Sequence, residues 1–316
     1  MRLSAAALEP ATAPPAELPV TVAVGLYYVD FDSIDLANQN FRAMGYMSLR
    51  WKDPRLAFDP SAEGTDQKSY AKDAIWHPVV EVVNSQEQQI TLEDEFMVLP
   101  DGTVSQYSRF VDVLDSEFDL RRFPFDTQSL LCVIESFRYD ARIVRFVEDQ
   151  QRTGLSADAF LAEWTFTKIA AKSTVSWFPP DQTEFSRLTF TIDAERKWGY
   201  YLWKVILPLV LTVVISWCTF WIGDRETELG MSVTLVLTMV AFSITLDFSL
   251  PKVPYLTWMD KFAFLCFATV FLVAMENVMV NNVQRDRSAL AQAIRSRSRW
   301  VFPLAFCALS ALIFVW

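Results

Sequence analysis

The chain holds one histidine, four cysteines and eight glycines in 316 residues, and each shortage closes off a class of chemistry. His77 alone cannot build a multi-histidine metal site. Cys132, Cys218, Cys266 and Cys307 have neither metal-ligand nor disulfide-framework spacing. The last three fall inside apolar runs, and all four read as small buried apolar side chains. No nucleophile elbow, paired-histidine motif or glycine-rich phosphate loop occurs, which argues against an enzyme, a bound cofactor or a metal centre. The carboxylates of VDVLDSEFD (111–119) read as a solvated face rather than an acid–base pair, with weak divalent-cation binding left open.

What is present is uneven. Apolar residues make up 52% of the chain, above the ~45–50% of soluble domains. Residues 1–199 carry 31 Asp and Glu against 19 Lys and Arg, whereas residues 200–316 carry 7 against 9. The acidic first part argues against nucleic acid as a partner and concentrates cations nearby. Its opening segment, about residues 1–18, is Ala/Pro-rich, lacks the apolar core of a signal peptide and is expected to be disordered.

Four apolar runs follow Lys197, at about 199–222, 227–248, 259–283 and 300–316, each near the ~20 residues that cross a bilayer. Trp198, Tyr200 and Trp203 flank one end of the first and Trp217 and Trp221 the other, marking two membrane interfaces. Its Pro208 is tolerable in a membrane, where neighbouring helices re-satisfy the freed carbonyl. Arg285, Arg287, Arg295, Arg297 and Arg299 between the third and fourth runs face one acid, Asp286, which places that loop in the cytoplasm. Counting back puts the acidic part and the C-terminus on the outer side, the periplasm in a bacterium.

The acidic part alternates with period two. In FRAMGYMSLRW, Phe41, Ala43, Gly45, Met47, Leu49 and Trp51 share one face, and Arg42, Met44, Tyr46, Ser48 and Arg50 the other. In RLTFTIDA, Leu188, Phe190, Ile192 and Ala194 alternate with polar residues, and LPDGTV (99–104) carries an Asp-Gly hairpin signal. Many short strands with little helical periodicity predict an all-β, immunoglobulin-like sandwich over 19–197. An all-α domain of four transmembrane helices follows over 198–316.

The second run poses the functional question. As a helix it lines up Glu226, Gly230, Thr234, Leu237, Ala241 and Ile244. That stripe passes from a carboxylate through small and hydroxylated residues to bulky apolar ones. An acid in a membrane span is costly and usually faces water or the bundle interior. Val233, Val236, Val240 and Phe242 form an apolar flank suited to packing. The stripe alone serves a pore, or a packing helix whose hydroxyls bond back to their own backbone. A pore needs several copies around a cyclic axis. A ring of Glu226, with Glu228 nearby, would then select cations, with monovalent cations expected to permeate and selectivity against divalent ones left open. Leu237 and Ile244 would form constrictions that close by dewetting.

The chain resembles the pentameric ligand-gated ion channels of the Cys-loop receptor superfamily, specifically the bacterial members, from about Val20 to Trp316. The motifs, in order, are WKDPRLAFDP (51–60), IWHPVVEVVN (75–84), LPDGTV, DLRRFPFD (119–126), YYLWKVILPL (200–209), the second run and LPKVPYLTW (250–258). Ser116 and Leu130 stand where animal receptors close a disulfide, and the linker between the third and fourth runs lacks a large cytoplasmic domain. The resemblance implies a C5 homopentamer in a bacterial inner membrane, with its agonist site between neighbouring sandwiches. It implies a principal face with Glu81, Glu135, Phe137, Trp177, Phe178 and Phe185, and a complementary face with Tyr46 and Tyr107. Without it, most of these aromatics would read as sandwich core. It also implies a coupling junction of Asp126 and Arg196, joined by Asp35, acting on a connector with Pro251 and Pro254; a purely structural Asp126–Arg196 pair is the alternative. Aromatics beside carboxylates suit a small cationic agonist. Protons are the second candidate, with His77 alone a poor sensor. The reading of a different class is a membrane-anchored sensor that passes no ions.

Overall fold

The computed structural model describes residues 12–87, 90–92, 95–249 and 253–315. The chain divides into two compact units, Met1–Phe118 with Thr127–Glu195, and Asp119–Asp126 with Arg196–Trp316. Residues 119–126, expected within the sandwich, belong instead with the helices.

In the first unit the strands are β1 (Val20–Asp35), β2 (Asn40–Lys52), β3 (Lys68–Ala71), β4 (Val80–Val82), β5 (Ile90–Leu92) and β6 (Glu95–Val98). Then come β7 (Thr103–Asp115), β8 (Thr127–Ser136), β9 (Val144–Glu148), β10 (Gly154–Leu155), β11 (Trp164–Phe178) and β12 (Thr183–Arg196). One sheet runs β10-β1-β2-β7-β6-β3, with β5 on β7 and β9 on β1; the other runs β11-β12-β8-β4. The predicted alternation is the observed burial. Phe41, Ala43, Met47, Leu49 and Trp51 on β2 and Leu188, Phe190, Ile192 and Ala194 on β12 are all buried. Each large apolar side chain so buried stabilises by roughly 1.5–3 kcal/mol. Leu26, Met47 and Phe110 of the first sheet meet Val82 and Cys132 of the second around one small cavity.

Two glycines on the first sheet's path are dictated by space. A Cβ on Gly45 would lie 2.2 Å from the Tyr27 carbonyl oxygen, and Gly102, at φ +81°, turns the β6–β7 hairpin against the Asp53 carbonyl. Of the N-terminal segment expected to be disordered, residues 1–11 lie outside the described residues. The Ala13 carbonyl accepts a 2.8 Å hydrogen bond from Arg55. Asp112, expected on a solvated face, is buried and accepts from Ser85 and from the Val113 amide, because the strand alternation that exposes Asp115 turns it inward.

Among the described residues the second unit holds four helices long and apolar enough to span a membrane, Gly199–Trp221, Glu226–Ile244, Trp258–Gln284 and Ser288–Phe314. They share one core of Leu209, Val213, Met239, Phe262, Cys266, Val270 and Phe306. The first span begins with a π-helical turn over Leu202–Ile206. That turn absorbs the steric and hydrogen-bonding fault of Pro208 just beyond it. The arginine-rich linker expected as a loop is helical. The third helix ends at Asp286 and the fourth runs from Ser288 to Val315, because arginine and alanine are good helix formers. Cys132 and Cys266 are buried as expected. Cys218 and Cys307 are not, and lie on outward faces of their helices.

Candidate pore and ligand sites

The second span starts with a helix cap. The Asp224 carboxylate accepts the Thr227 hydroxyl and, at 2.9 Å, the Thr227 amide; these bonds hold its pKa below the usual carboxylate range, and the charge suits the positive end of the helix dipole. Above it the helix has two unlike sides. Glu226, Gly230, Thr234, Leu237, Ala241 and Ile244 are all exposed in the isolated chain, Leu237 by 63% and Ile244 by 56%. Thr234 and Thr238 return their hydroxyl protons to the Gly230 and Thr234 carbonyls at 2.8 Å, leaving oxygen lone pairs on that side. The buried side is formed by Glu228, Ser232 and Met239. Val233 and Val240, expected to pack on neighbouring helices, are exposed.

Glu228 is a correction. Set beside Glu226 as a selectivity residue, it is 1% exposed and its Oε2 accepts from Arg295 of the fourth span at 2.7 Å. Asn281 reaches the same oxygen at 3.4 Å, and Asn277 donates to Thr219 at 2.9 Å and Ser232 at 3.0 Å. This polar network joins all four spans and went unread in the sequence. Its signal was Asn277 and Asn281, four residues apart on one face of an apolar helix.

The excursion 119–126 is built into the start of the third span. The Arg121 and Phe123 carbonyls accept from the Trp258 and Met259 amides at 2.8 and 3.2 Å, two donors a helix start leaves without partners. Thr257 and Asp260 complete a capping box there. The Tyr255 hydroxyl accepts the Leu120 amide at 3.0 Å, and Phe125 packs edge-on against Trp258. Asp126 ends the loop in a two-pronged pair with Arg196, at 2.7 and 3.0 Å, with both side chains 1% exposed. The guanidinium also lies 4.8 Å from the Phe123 ring centre. Asp35 closes its own turn by accepting from the Asn38 amide and side chain and from the Ala37 amide, and these bonds, those from Asn38 above all, lower its pKa. Pro254 lies in the connector between the second and third spans, and Pro251 lies outside the described residues.

On the sandwich, Tyr46 and Tyr107 share a face of the first sheet, with Tyr46 opposite Arg109 and Ser48 opposite Tyr107. Tyr46 is half exposed, and the Arg152 guanidinium stands 5.1 Å from the Tyr107 ring centre. The remaining candidates belong to the second sheet. Glu81 pairs in register with Glu135; Phe137, Trp177 and Phe178 are exposed; Phe178 meets Phe185 edge-on. Glu135 is committed: its Oε2 accepts from Arg187 at 2.7 Å.

Two family models cover this chain: the neurotransmitter-gated ion-channel ligand binding domain over residues 6–198 and the neurotransmitter-gated ion-channel transmembrane region over residues 205–302. The chain belongs to the neurotransmitter-gated ion-channel family. Among curated relatives, a proton-gated ion channel of Gloeobacter violaceus is 31% identical over 294 residues, covering 93% of this chain and 82% of that protein. A gamma-aminobutyric acid receptor subunit beta-4 of Gallus gallus is 27% identical over 284 residues, covering 88% of this chain and 58% of that one.

Membership makes the chain a ligand-gated ion channel, a membrane protein of four spans with its N-terminal domain outside. The family is one of channels and not an enzyme class. The member at hand does without the disulfide around residues 119–126. The Ser116 hydroxyl instead donates to the Ser129 carbonyl at 2.8 Å and accepts the Leu131 amide at 3.3 Å, tying together the strands that flank the loop.

Proposed function

We propose that five identical chains assemble around an axis into a cation channel whose water path is lined by the second span. The observation that carries the reading is the two-sided character of that helix. Every stripe residue from Glu226 to Ile244 is solvent-facing in a lone chain, while the opposite side is engaged by the third and fourth spans. A face with a carboxylate and hydroxyls at one end is unsuited to lipid. In a ring it concentrates cations at Glu226, while Leu237 and Ile244 close the path by dewetting.

The agonist site lies between neighbouring sandwiches, where the second-sheet set of one copy faces Tyr46 and Tyr107 of the next. Exposed aromatics beside Glu81 favour a small organic cation. A second reading, protons as the ligand, gains from two observations. Arg187 already neutralises Glu135, which weakens the cation site, and a relative of 31% identity is a proton-gated ion channel. The test is current through bilayers holding the purified protein, with small amines and pH varied separately. Cation-selective current, with selectivity reduced in Glu226→Gln, is the expected result. A protein that binds amines but passes no ions would be the non-conducting sensor instead.

A further inference from the structure

The fourth span holds the base of the second with more chemistry than packing requires. Arg295 spends one terminal nitrogen on Glu228 at 2.7 Å and the other on the Ile222 carbonyl at 3.4 Å. One turn on, Arg299 donates to the Phe220 carbonyl at 3.3 and 3.1 Å and lies 5.2 Å from the Trp221 ring centre. These two carbonyls end the first span, where the helix dipole is negative and acceptors lack partners. Arg295 is therefore fixed at both ends of the short linker from which the second span rises. Glu226 and Glu228, two residues apart, project about 200° from each other around a helix of 3.6 residues per turn. Drawing Glu228 into the bundle thus turns Glu226 out of it.

We propose that Arg295 is a positioning residue for ion selectivity. By binding Glu228 it sets the rotation of the second span and so the aim of the Glu226 carboxylate. The inference rests on the reading that the exposed stripe lines the pore. It is tested with the full-length protein in liposome-derived bilayers, through the reversal potential under a NaCl gradient for wild type and four variants.

Glu226→Gln tests the pore reading by itself; an unchanged reversal potential there removes that reading whatever Arg295 does. With Glu226→Gln shifted, Arg295→Met should lower the cation-to-anion permeability ratio about threefold or more, as the ring of carboxylates turns away from the ion path. Arg295→Lys, which keeps a cation at Glu228, should restore most of the ratio. A residue that merely stabilises the bundle would change yield or melting and leave reversal potential alone. A wild-type ratio in Arg295→Met therefore overturns the inference. Should Arg295→Met fail to assemble because Glu228 is left buried and unpaired, Glu228→Gln/Arg295→Met removes both charges and decides. A lowered ratio in that double variant supports the positioning role, and a wild-type ratio overturns it.

Discussion

Asp126→Asn is the sharpest perturbation this molecule offers. The Asp126 carboxylate receives both prongs of Arg196, at 2.7 and 3.0 Å, and each side chain is 1% exposed. Asparagine keeps the shape but replaces one acceptor oxygen with a donor facing a guanidinium N–H. The charge of Arg196 then stays buried with half of its pairing lost. Breaking a buried pair from one side costs about 3–5 kcal/mol. How that cost distributes between channel states decides its meaning. Shared equally, it lowers the melting midpoint and leaves gating alone; confined to one state, it moves the gating equilibrium by about 10² to 4 × 10³-fold, at about 1.4 kcal/mol per tenfold. Two assays separate the cases: thermal unfolding of the detergent-solubilised protein, and agonist or pH response curves at matched surface expression. Asp126→Asn/Arg196→Gln, which removes both charges, should recover much of the stability. We expect the single variant to shift the response curve. A lowered melting midpoint with an unmoved curve would make the pair purely structural, and a wild-type result in both assays would refute the burial argument itself.

Other outcomes follow from the same contacts. Leu237→Thr should raise current in the absence of agonist several-fold, since a hydroxylated ring wets more readily; silent bilayers would show that Leu237 forms no barrier. Burial holds the His77 pKa below its ordinary value, so protonating it opposes folding. Its contribution to stability is complete above the unfolded pKa of ~6.5 and declines as pH falls through that value. His77→Gln should therefore soften acid destabilisation slightly and leave any acid-evoked current in place, and a lost acid response would overturn this. Ser116→Ala strips a hydroxyl serving two backbone groups and should cost about 1–3 kcal/mol, read as a lower melting midpoint with the response curve retained.

Much of this was legible from the residues. The inner face of β2, Phe41 to Trp51, is written as strict alternation, because a strand buried on one side admits little else. The spans are written as length and apolarity. Rotation about the helix was legible too, yet Glu228 was grouped with Glu226 on proximity in sequence, although residues two apart do not share a helical face. Other features could not be read locally. Nothing in DLRRFPFD announces that its carbonyls complete the start of a helix more than 130 residues later, since such a bond has no period and no composition. Asp112 looked like one more surface acid because its neighbours Asp115 and Glu117 are exposed; only the pairing of β7 shows which way it turns.

The Ser116 bridge has a consequence for where such a channel can work. A loop held by a hydroxyl asks nothing of its compartment's redox poise, neither oxidase nor isomerase during biogenesis nor protection from reductant afterwards. All four sulfur-bearing cysteine side chains are free thiols, and burial pushes the Cys132 thiol, the one inside the sandwich, up to about 12. It stays protonated and unreactive. The outer domain is thus built to ignore thiol–disulfide traffic, and dithiothreitol should leave its response as it found it.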